Sequence, residues 1–277
     1  MDKKMFCFQC EQTVGCTGCT GNAGVCGKKA DTAKLQDELT GALISLAKAA
    51  DSTETISKRT GQIIIEGLFT TVTNVSFDNA AIENMIQKVR AEKERLVPDC
   101  RTEEYDLQQL WNANEDIRSL KSLILFGIRG MAAYAYHANV LNYEDAEVNQ
   151  FFCEALSKIG YEESTEALLS TVLKTGEINL KCMALLDKAN TETYGTPEPT
   201  DVTLTVEKGP FIVVTGHDLK DLQLLLEQTE GKGINIYTHG EMLPAHAYPF
   251  LKKYSHLKGN FGTAWQNQQK EFDHLPA

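Results

Sequence analysis

Cysteines dominate the start of this chain, in a run that reads CFQCEQTVGCTGCTGNAGVCGK from Cys7 to Lys28. Clustered thiols oxidise readily unless they are bonded to a partner. The run therefore predicts a disulfide, a zinc ion or an iron–sulfur cluster. The five cysteines of the run are Cys7, Cys10, Cys16, Cys19 and Cys26, and the remaining chain holds Cys100, Cys153 and Cys182.

The spacing of these cysteines bears on which partner they bind. Two C-x2-C pairs can form a tetrahedral zinc site, but a zinc ribbon separates its pairs by many more residues than lie here between Cys10 and Cys16. A zinc site with four cysteine ligands also leaves the fifth cysteine without a role. The spacing differs from the two-cluster ferredoxin run as well. It favours an iron–sulfur cluster over zinc and leaves both open.

The whole chain has the composition of a globular protein. Apolar residues make up 42% of its 277 residues, and the net charge of −11 argues against nucleic acid or an anionic membrane as a partner. We expect that charge to serve solubility. No apolar signal segment follows Met1, and the longest apolar runs are too short to span a bilayer. We therefore expect a cytoplasmic protein, and disulfides are disfavoured there.

Hydrophobic periodicity predicts a mainly α N-terminal domain, built as a helical bundle. Apolar residues recur at spacings of three and four, as on the buried face of a helix. Gly127 and Gly130 lie inside the strongest of these patterns, where we expect close helix packing. The predicted helices cover residues 31–50, 57–68, 77–96, 115–141, 145–159, 163–174 and 178–189.

The pattern changes after a turn-rich linker at residues 191–203. Short β-rich runs at 211–215 and 234–238 flank a helical pattern at 219–227, which predicts a parallel βαβ unit. A helix at 247–254 and a possible third strand at 257–261 follow. We therefore divide the chain into a cysteine-rich segment (1–30), a helical domain (31–200) and an incomplete α/β domain (201–277).

Polar residues follow the first two predicted strands. His217 comes directly after one strand and Glu241 after the next, so both belong at the carboxyl edge where open α/β sheets bind ligands. An imidazole and a carboxylate suit iron. The alternative is that both residues are ordinary solvated side chains. His239 and His246 lie nearby and could be ligands, a proton donor or surface residues.

The chain resembles the hybrid cluster proteins, also called hydroxylamine reductases. The resemblance runs along nearly the whole length. It is carried by CFQCEQT, GVCGK, NEDIRSLKSLILFGIRGMAAYAYHA (residues 114–138), ALLDKANTETYGTPE (184–198) and TGHDLKDLQLLLEQTEGKGINIYTHGEMLPA (215–245).

The resemblance implies two metal centres. Cys7, Cys10, Cys19 and Cys26 match the ligands of a [4Fe–4S] cluster, with a [2Fe–2S] cluster as the alternative. Cys16 is then surplus, or replaces Cys19. His217, in GHDL, and Glu241, in HGEML, match two ligands of the hybrid iron–sulfur–oxygen cluster. Its other ligands lie in a later half that this sequence does not contain. Cys100, Cys153 and Cys182 match none of them, so we expect buried structural thiols.

The family reaction is reduction of hydroxylamine to ammonia and water, with nitric oxide as another possible substrate. We expect a separate redox donor to supply the electrons. Two protein ligands rarely hold a multi-iron cluster, so we expect these 277 residues alone to be inactive. The competing interpretation is a non-catalytic electron-transfer or assembly module, completed by a C-terminal partner chain.

Overall fold

A computed structural model describes residues 5–10, 18–51, 55–72, 75–98, 104–273 and 275. The chain divides into two compact units. The first comprises Met1–Asn139 with Tyr143–Leu186, and the second comprises Val140–Asn142 with Asp187–Ala277. The domain boundaries at residues 30 and 200 stay predictions.

The first unit is helical, as predicted. Polar side chains cap several of its helices: Ser57 accepts a hydrogen bond from the Thr60 amide, Asp78 from the Ala80 amide, and Asp145 from the Glu147 amide. Such caps satisfy amides that have no partner inside the helix. The helices are α1 (Ala30–Ala50), α2 (Lys58–Thr70), α3 (Asn79–Leu96), α4 (Gln108–Trp111), α5 (Glu115–Val140), α6 (Ala146–Tyr161) and α7 (Thr165–Tyr194).

Helix α1 lies at the centre of this unit and packs against α2, α3 and α6. Leu39, Leu43 and Leu46 are fully buried in one continuous apolar core with residues of the other helices. The helices approach closely at glycines. A Cβ on Gly67 would lie 2.7 Å from Leu43 Cδ2, and one on Gly127 would lie 2.9 Å from Thr175 Cγ2. Gly127 therefore has the packing role expected of it, whereas a Cβ on Gly130 would meet no described neighbour outside its own stretch of helix within 4 Å.

Helix α7 corrects one prediction. The segments 163–174 and 178–189 form one continuous helix, which runs to Tyr194 and so also includes the start of the predicted linker. Gly176 lies between the two predicted segments, and a single glycine inside a helix costs only about 1 kcal/mol. Buried residues on both sides of it, Leu168, Ile178 and Cys182, hold the helix in the core.

The second unit contains a three-stranded parallel sheet in the order β1 (Phe211–Thr215), β2 (Asn235–His239), β3 (Leu257–Phe261). Helix α8 (Leu219–Thr229) joins β1 to β2, and Asp218 caps its first turn. The predicted βαβ unit and the third strand are thus confirmed. Thr215 pairs in register with His239, so β1 and β2 end side by side.

The helix predicted at 247–254 is replaced by two shorter elements. A 3₁₀ helix covers Gly240–Ala247, and α9 covers only Pro249–Lys252. Proline disfavours the helical conformation in the residue before it, and Tyr248 is extended, with φ −81° and ψ 121°. After β3, a 3₁₀ turn (Trp265–Asn267) leads into α10 (Gln268–Glu271).

The second unit has its own apolar core, formed by buried residues that include Leu222, Leu226, Ile236 and Leu251. The sheet edge at β3 is covered by a short parallel bridge, in which the Asn260 amide donates to Thr203 O at 2.9 Å. Across the described ranges, no helix combines the length and apolarity needed to cross a bilayer.

Candidate functional site

A recess near the N-terminus brings together four of the five clustered cysteines. Cys7, Cys10, Cys19 and Cys26 all line it. These are the four cysteines that the resemblance matched to a cluster. The rest of the lining is short or apolar, apart from one amide and one ammonium group: Met5, Gln9, Gly24, Val25 and Lys28.

The first and third of these cysteines are held together by the backbone. The Cys7 amide donates to Cys19 O at 3.1 Å, and the Cys19 amide donates to Cys7 O at 2.8 Å. The side chains that flank Cys7 anchor it to the helical unit, since Phe6 and Phe8 both pack edge-on against Trp111. Two cysteines distant in sequence therefore share one short antiparallel bridge.

A tight turn carries Cys26 to the recess. The Gly24 amide donates to Lys28 O at 2.8 Å, and the Gly27 amide donates to Gly24 O at 2.9 Å. Gly27 has a φ of +85°, which an L side chain rarely adopts. A Cβ on Gly24 would lie 3.3 Å from Met5 Cε and 3.5 Å from Cys26 Sγ, so the turn packs directly against the thiol and the apolar wall of the recess.

Lys28 is a member of the site that the sequence interpretation missed. Its side chain is only 1% exposed. Its Nζ donates to Gln36 Oε1 at 2.6 Å and Gln9 Oε1 at 3.0 Å, and lies 3.9 Å from Cys7 Sγ. The sequence carried no signal for this role, because lysine is normally exposed and is almost never fully buried without a partner.

The electrostatics of the recess follow from burial and from Lys28. Burial raises the pKa of the Cys7 thiol, and the Lys28 charge opposes that shift. Deeper in the unit, Arg129 is buried and donates to Thr71 Oγ1 at 3.0 Å and Thr40 Oγ1 at 2.8 Å. Burial raises the pKa of the half-buried Asp37 to about 6, against the pull of Arg129 and Lys28.

The donor set of the recess consists of thiols. Among the described cysteines no pair forms a disulfide. No three His, Cys, Asp or Glu side chains of the described residues meet closely enough to ligate one metal ion. Four thiols around one recess, with no carboxylate or imidazole in its lining, are the ligands that iron–sulfur clusters use.

The other cysteines divide into two groups. Cys16, the alternative to Cys19, and Cys100 lie outside the described residues. Cys153 and Cys182 are fully buried in the helical core, as expected. Their Sγ atoms donate to Ala47 O at 3.4 Å and Met131 O at 3.5 Å, and burial raises the pKa of each to about 12. Thiols this hard to ionise suit a structural role.

The second unit brings His217 and Glu241 together. They follow the paired ends of β1 and β2, and His217 Nε2 contacts Glu241 Oε2 directly. The two side chains are 69% and 50% exposed. The adjacency predicted from the strand order is therefore present, and both groups are accessible from solvent at the carboxyl edge of the sheet.

The neighbouring histidines have partners inside the second unit. His239 is buried at the end of β2, with Nδ1 3.2 Å from Thr215 Oγ1 and Nε2 2.8 Å from Glu271 Oε2. His246 is also buried, and its Nε2 lies 2.9 Å from Thr238 Oγ1. Neither is the surface residue that was one of the alternatives.

Similarity to known proteins extends over the whole described chain. A protein named hydroxylamine reductase from Thermodesulfovibrio yellowstonii is 48% identical over 98% of this chain and 56% of its own length. Those from Solidesulfovibrio magneticus and Porphyromonas gingivalis are 45% and 44% identical, over 55% and 54% of their own lengths. The chain thus spans about half the length of the curated relatives it matches.

A solved carbon monoxide dehydrogenase from Thermococcus sp. AM4 aligns with 94% of this chain at 14% identity and a TM-score of 0.32, a likeness too weak to carry an argument. The model of the Prismane/CO dehydrogenase family matches residues 5–277. With that match and the relatives above, this chain belongs to the Prismane/CO dehydrogenase family.

Proposed function

We propose that this chain carries the electron-transfer cluster of a hydroxylamine reductase, held by Cys7, Cys10, Cys19 and Cys26. One observation carries the proposal: these four cysteines, spread over 20 residues of sequence, line a single recess. A [4Fe–4S] cluster is the favoured group and a [2Fe–2S] cluster is the alternative. When bound, such a cluster supplies one-electron transfer.

The residues around the recess have separable tasks. The four cysteines would hold the cluster as thiolates. The Cys7–Cys19 bridge and the turn at Gly24 fix three of them before any metal arrives. Met5 is 2% exposed and gives the recess a buried apolar wall, whereas Val25 lines the recess from an exposed position. Such a wall limits water around the sulfurs, and water access is one of the factors that set a cluster's potential.

The second part of the proposal concerns His217 and Glu241. We infer that they contribute two ligands to the catalytic hybrid cluster, because they meet at the carboxyl edge of the sheet and stay accessible. The remaining ligands would come from sequence that the relatives possess and these 277 residues lack. The reaction would add two electrons and two protons to hydroxylamine and release ammonia and water, with nitric oxide as another possible substrate.

This division of ligands leads to an expectation about turnover. His217 and Glu241 alone cannot hold a multi-iron centre, so the 277-residue chain should not produce ammonia from hydroxylamine with a reduced viologen dye. Ammonia production well above that of a heat-treated sample would overturn this part of the proposal.

We also infer that the protein works in a reducing compartment such as the cytoplasm, where its thiols would remain available for metal.

The cluster assignment is tested by metal analysis. The purified chain is incubated anaerobically with ferrous iron and sulfide, desalted, and assayed for iron, acid-labile sulfide and zinc. We expect equal amounts of iron and sulfide, and a large loss of both in Cys26→Ser. The matched control is Cys182→Ser, which changes a buried thiol far along the chain. Zinc without sulfide, or equal loading of the two variants, would contradict the proposal.

A further inference from the structure

The side chain of Lys28 faces the cysteines from a buried position. Its ammonium has three N–H donors, and three acceptors surround it: two amide oxygens and the Cys7 sulfur. None of these partners is a carboxylate, and within the described part of the chain Lys28 forms no ion pair. A buried charge without a counter-charge is costly, so this arrangement is stable only if negative charge lies nearby.

Among the described residues, two buried cations lie in this part of the unit, Lys28 and Arg129. The charge of Arg129 interacts with both Asp37 and Cys7. Asp37 is half-buried, and burial raises its pKa to about 6 against the pull of both cations. The described part of the site therefore places two fixed positive charges close to Cys7, where a bound cluster would add negative charge.

We propose that Lys28 is a positioning residue whose fixed positive charge raises the reduction potential of the cluster held by Cys7, Cys10, Cys19 and Cys26. This inference rests on the proposed function, because it needs a cluster at that site. Lys28 would then tune the reduction potential of the cluster, in addition to any role in holding the Cys7 loop.

The physical reason is that reduction adds one negative charge and breaks no bond. A one-electron donor, such as a reduced dye, gives up the electron and the cluster accepts it. A cation close to the sulfur ligands stabilises the reduced form more than the oxidised form, and weak screening in a buried site strengthens that effect. Net charge and hydrogen bonds to sulfur are established factors in cluster potentials.

The test is a redox titration of cluster-loaded protein, followed by EPR. Lys28→Met removes the charge with a side chain of similar length, and should shift the midpoint to lower potential. Lys28→Arg keeps the charge and should remain close to the parent. Lys29→Met is the matched control, since it removes the same charge one residue later from an exposed position, where water and salt screen it.

Iron and sulfide content, measured first, separates the two claims. A parent protein that binds no cluster refutes the proposed function. A parent and a Lys28→Met protein that both bind cluster, with the same midpoint, refute only the role of Lys28.

If Lys28→Met fails to fold or to bind cluster, Gln36→Glu replaces it. This variant places a carboxylate at the 2.6 Å contact with Nζ and cancels the charge while keeping the lysine. It should also lower the potential, and an unchanged potential would overturn the inference.

Discussion

Cys7 and Cys19 are paired through their backbones by two hydrogen bonds, of 3.1 and 2.8 Å. This bridge joins the first C-x2-C pair to Cys19 through the backbone. The recess is therefore partly organised by backbone pairing, which holds two of its cysteines side by side. Preorganised ligands lower the entropy lost on binding.

Gly18 makes that bridge possible, and its replacement should weaken the site. Its φ is +98°, and a Cβ there would lie 2.7 Å from Phe6 Cε2. Gly18→Ala should cost about 1–3 kcal/mol in backbone strain and speed the loss of iron during desalting. Gly21→Ala is the control, because the nearest atom to its Cβ is 3.9 Å away. Equal iron retention by the two variants would show that Gly18 is not needed.

Glu92 should be a stability determinant of the helical unit. Its buried carboxylate accepts from Thr60 Oγ1 and Arg95 Nη2, each at 2.7 Å, and pairs with Arg59 at 3.0 Å. Glu92→Gln should reduce the free energy of unfolding by about 1–3 kcal/mol, because the buried network loses its negative charge and one of its two acceptor oxygens. Urea denaturation at neutral pH measures this.

The control is Glu147→Gln, which removes a 57% exposed partner of Lys181. Exposed pairs contribute about 0–1 kcal/mol. A Glu92→Gln protein no less stable than Glu147→Gln would disprove the role of Glu92.

Hydrogen bonds from Arg95 also lower the pKa of Glu92. The contribution of Glu92 to the free energy of unfolding should therefore be complete at neutral pH and disappear only as the pH falls through that lowered pKa.

His246 should make the second unit less stable in mild acid. Burial lowers its pKa in the folded protein, whereas the unfolded value is about 6.5. Below about pH 6.5 the unfolded chain therefore binds more protons than the folded chain. The free energy of unfolding decreases as the pH is lowered, until the pH passes the folded pKa of His246. Above pH 7 the contribution is complete. The urea midpoint should rise between pH 5 and 7.5, and His246→Gln should reduce that rise.

The chain has two tryptophans, Trp111 and Trp265. In a Trp111→Phe background, the fluorescence of Trp265 therefore reports the unfolding of the second unit. If His246→Gln and the parent follow the same pH curve, the buried histidine is not responsible.

The pair His217 and Glu241 should be dispensable for folding. Because both side chains are at least half exposed, their ion pair should contribute at most about 1 kcal/mol. The double change His217→Ala with Glu241→Ala should leave the melting temperature within about 3 °C of the parent and leave iron loading at the cysteines unchanged. A large loss of iron would mean that the two sites are not independent, contrary to our assignment.

Sequence patterns were sufficient for much of the fold. The β-branched run of β1 predicted its strand to the residue, and the parallel βαβ rule placed His217 beside Glu241. Such features follow from local propensity and from connection rules.

Features that depend on tertiary contacts could not be predicted in this way. Lysine is normally exposed, and only the fold shows that Gln9 and Gln36 hold Lys28 beside Cys7. The apolar pattern predicted separate helices at 163–174 and 178–189, but buried residues on both sides of Gly176 keep α7 continuous. The short α9 reflects Pro249, whose effect on Tyr248 outweighed the apolar pattern.

The central claim is that Cys7, Cys10, Cys19 and Cys26 hold an iron–sulfur cluster, and EPR of the anaerobically loaded, dithionite-reduced chain tests it most directly. We predict the signal of a reduced [4Fe–4S] or [2Fe–2S] cluster, with spin intensity proportional to the acid-labile sulfide and absent from Cys26→Ser. A chain that binds zinc, carries no sulfide and gives no cluster signal after reduction would contradict the account.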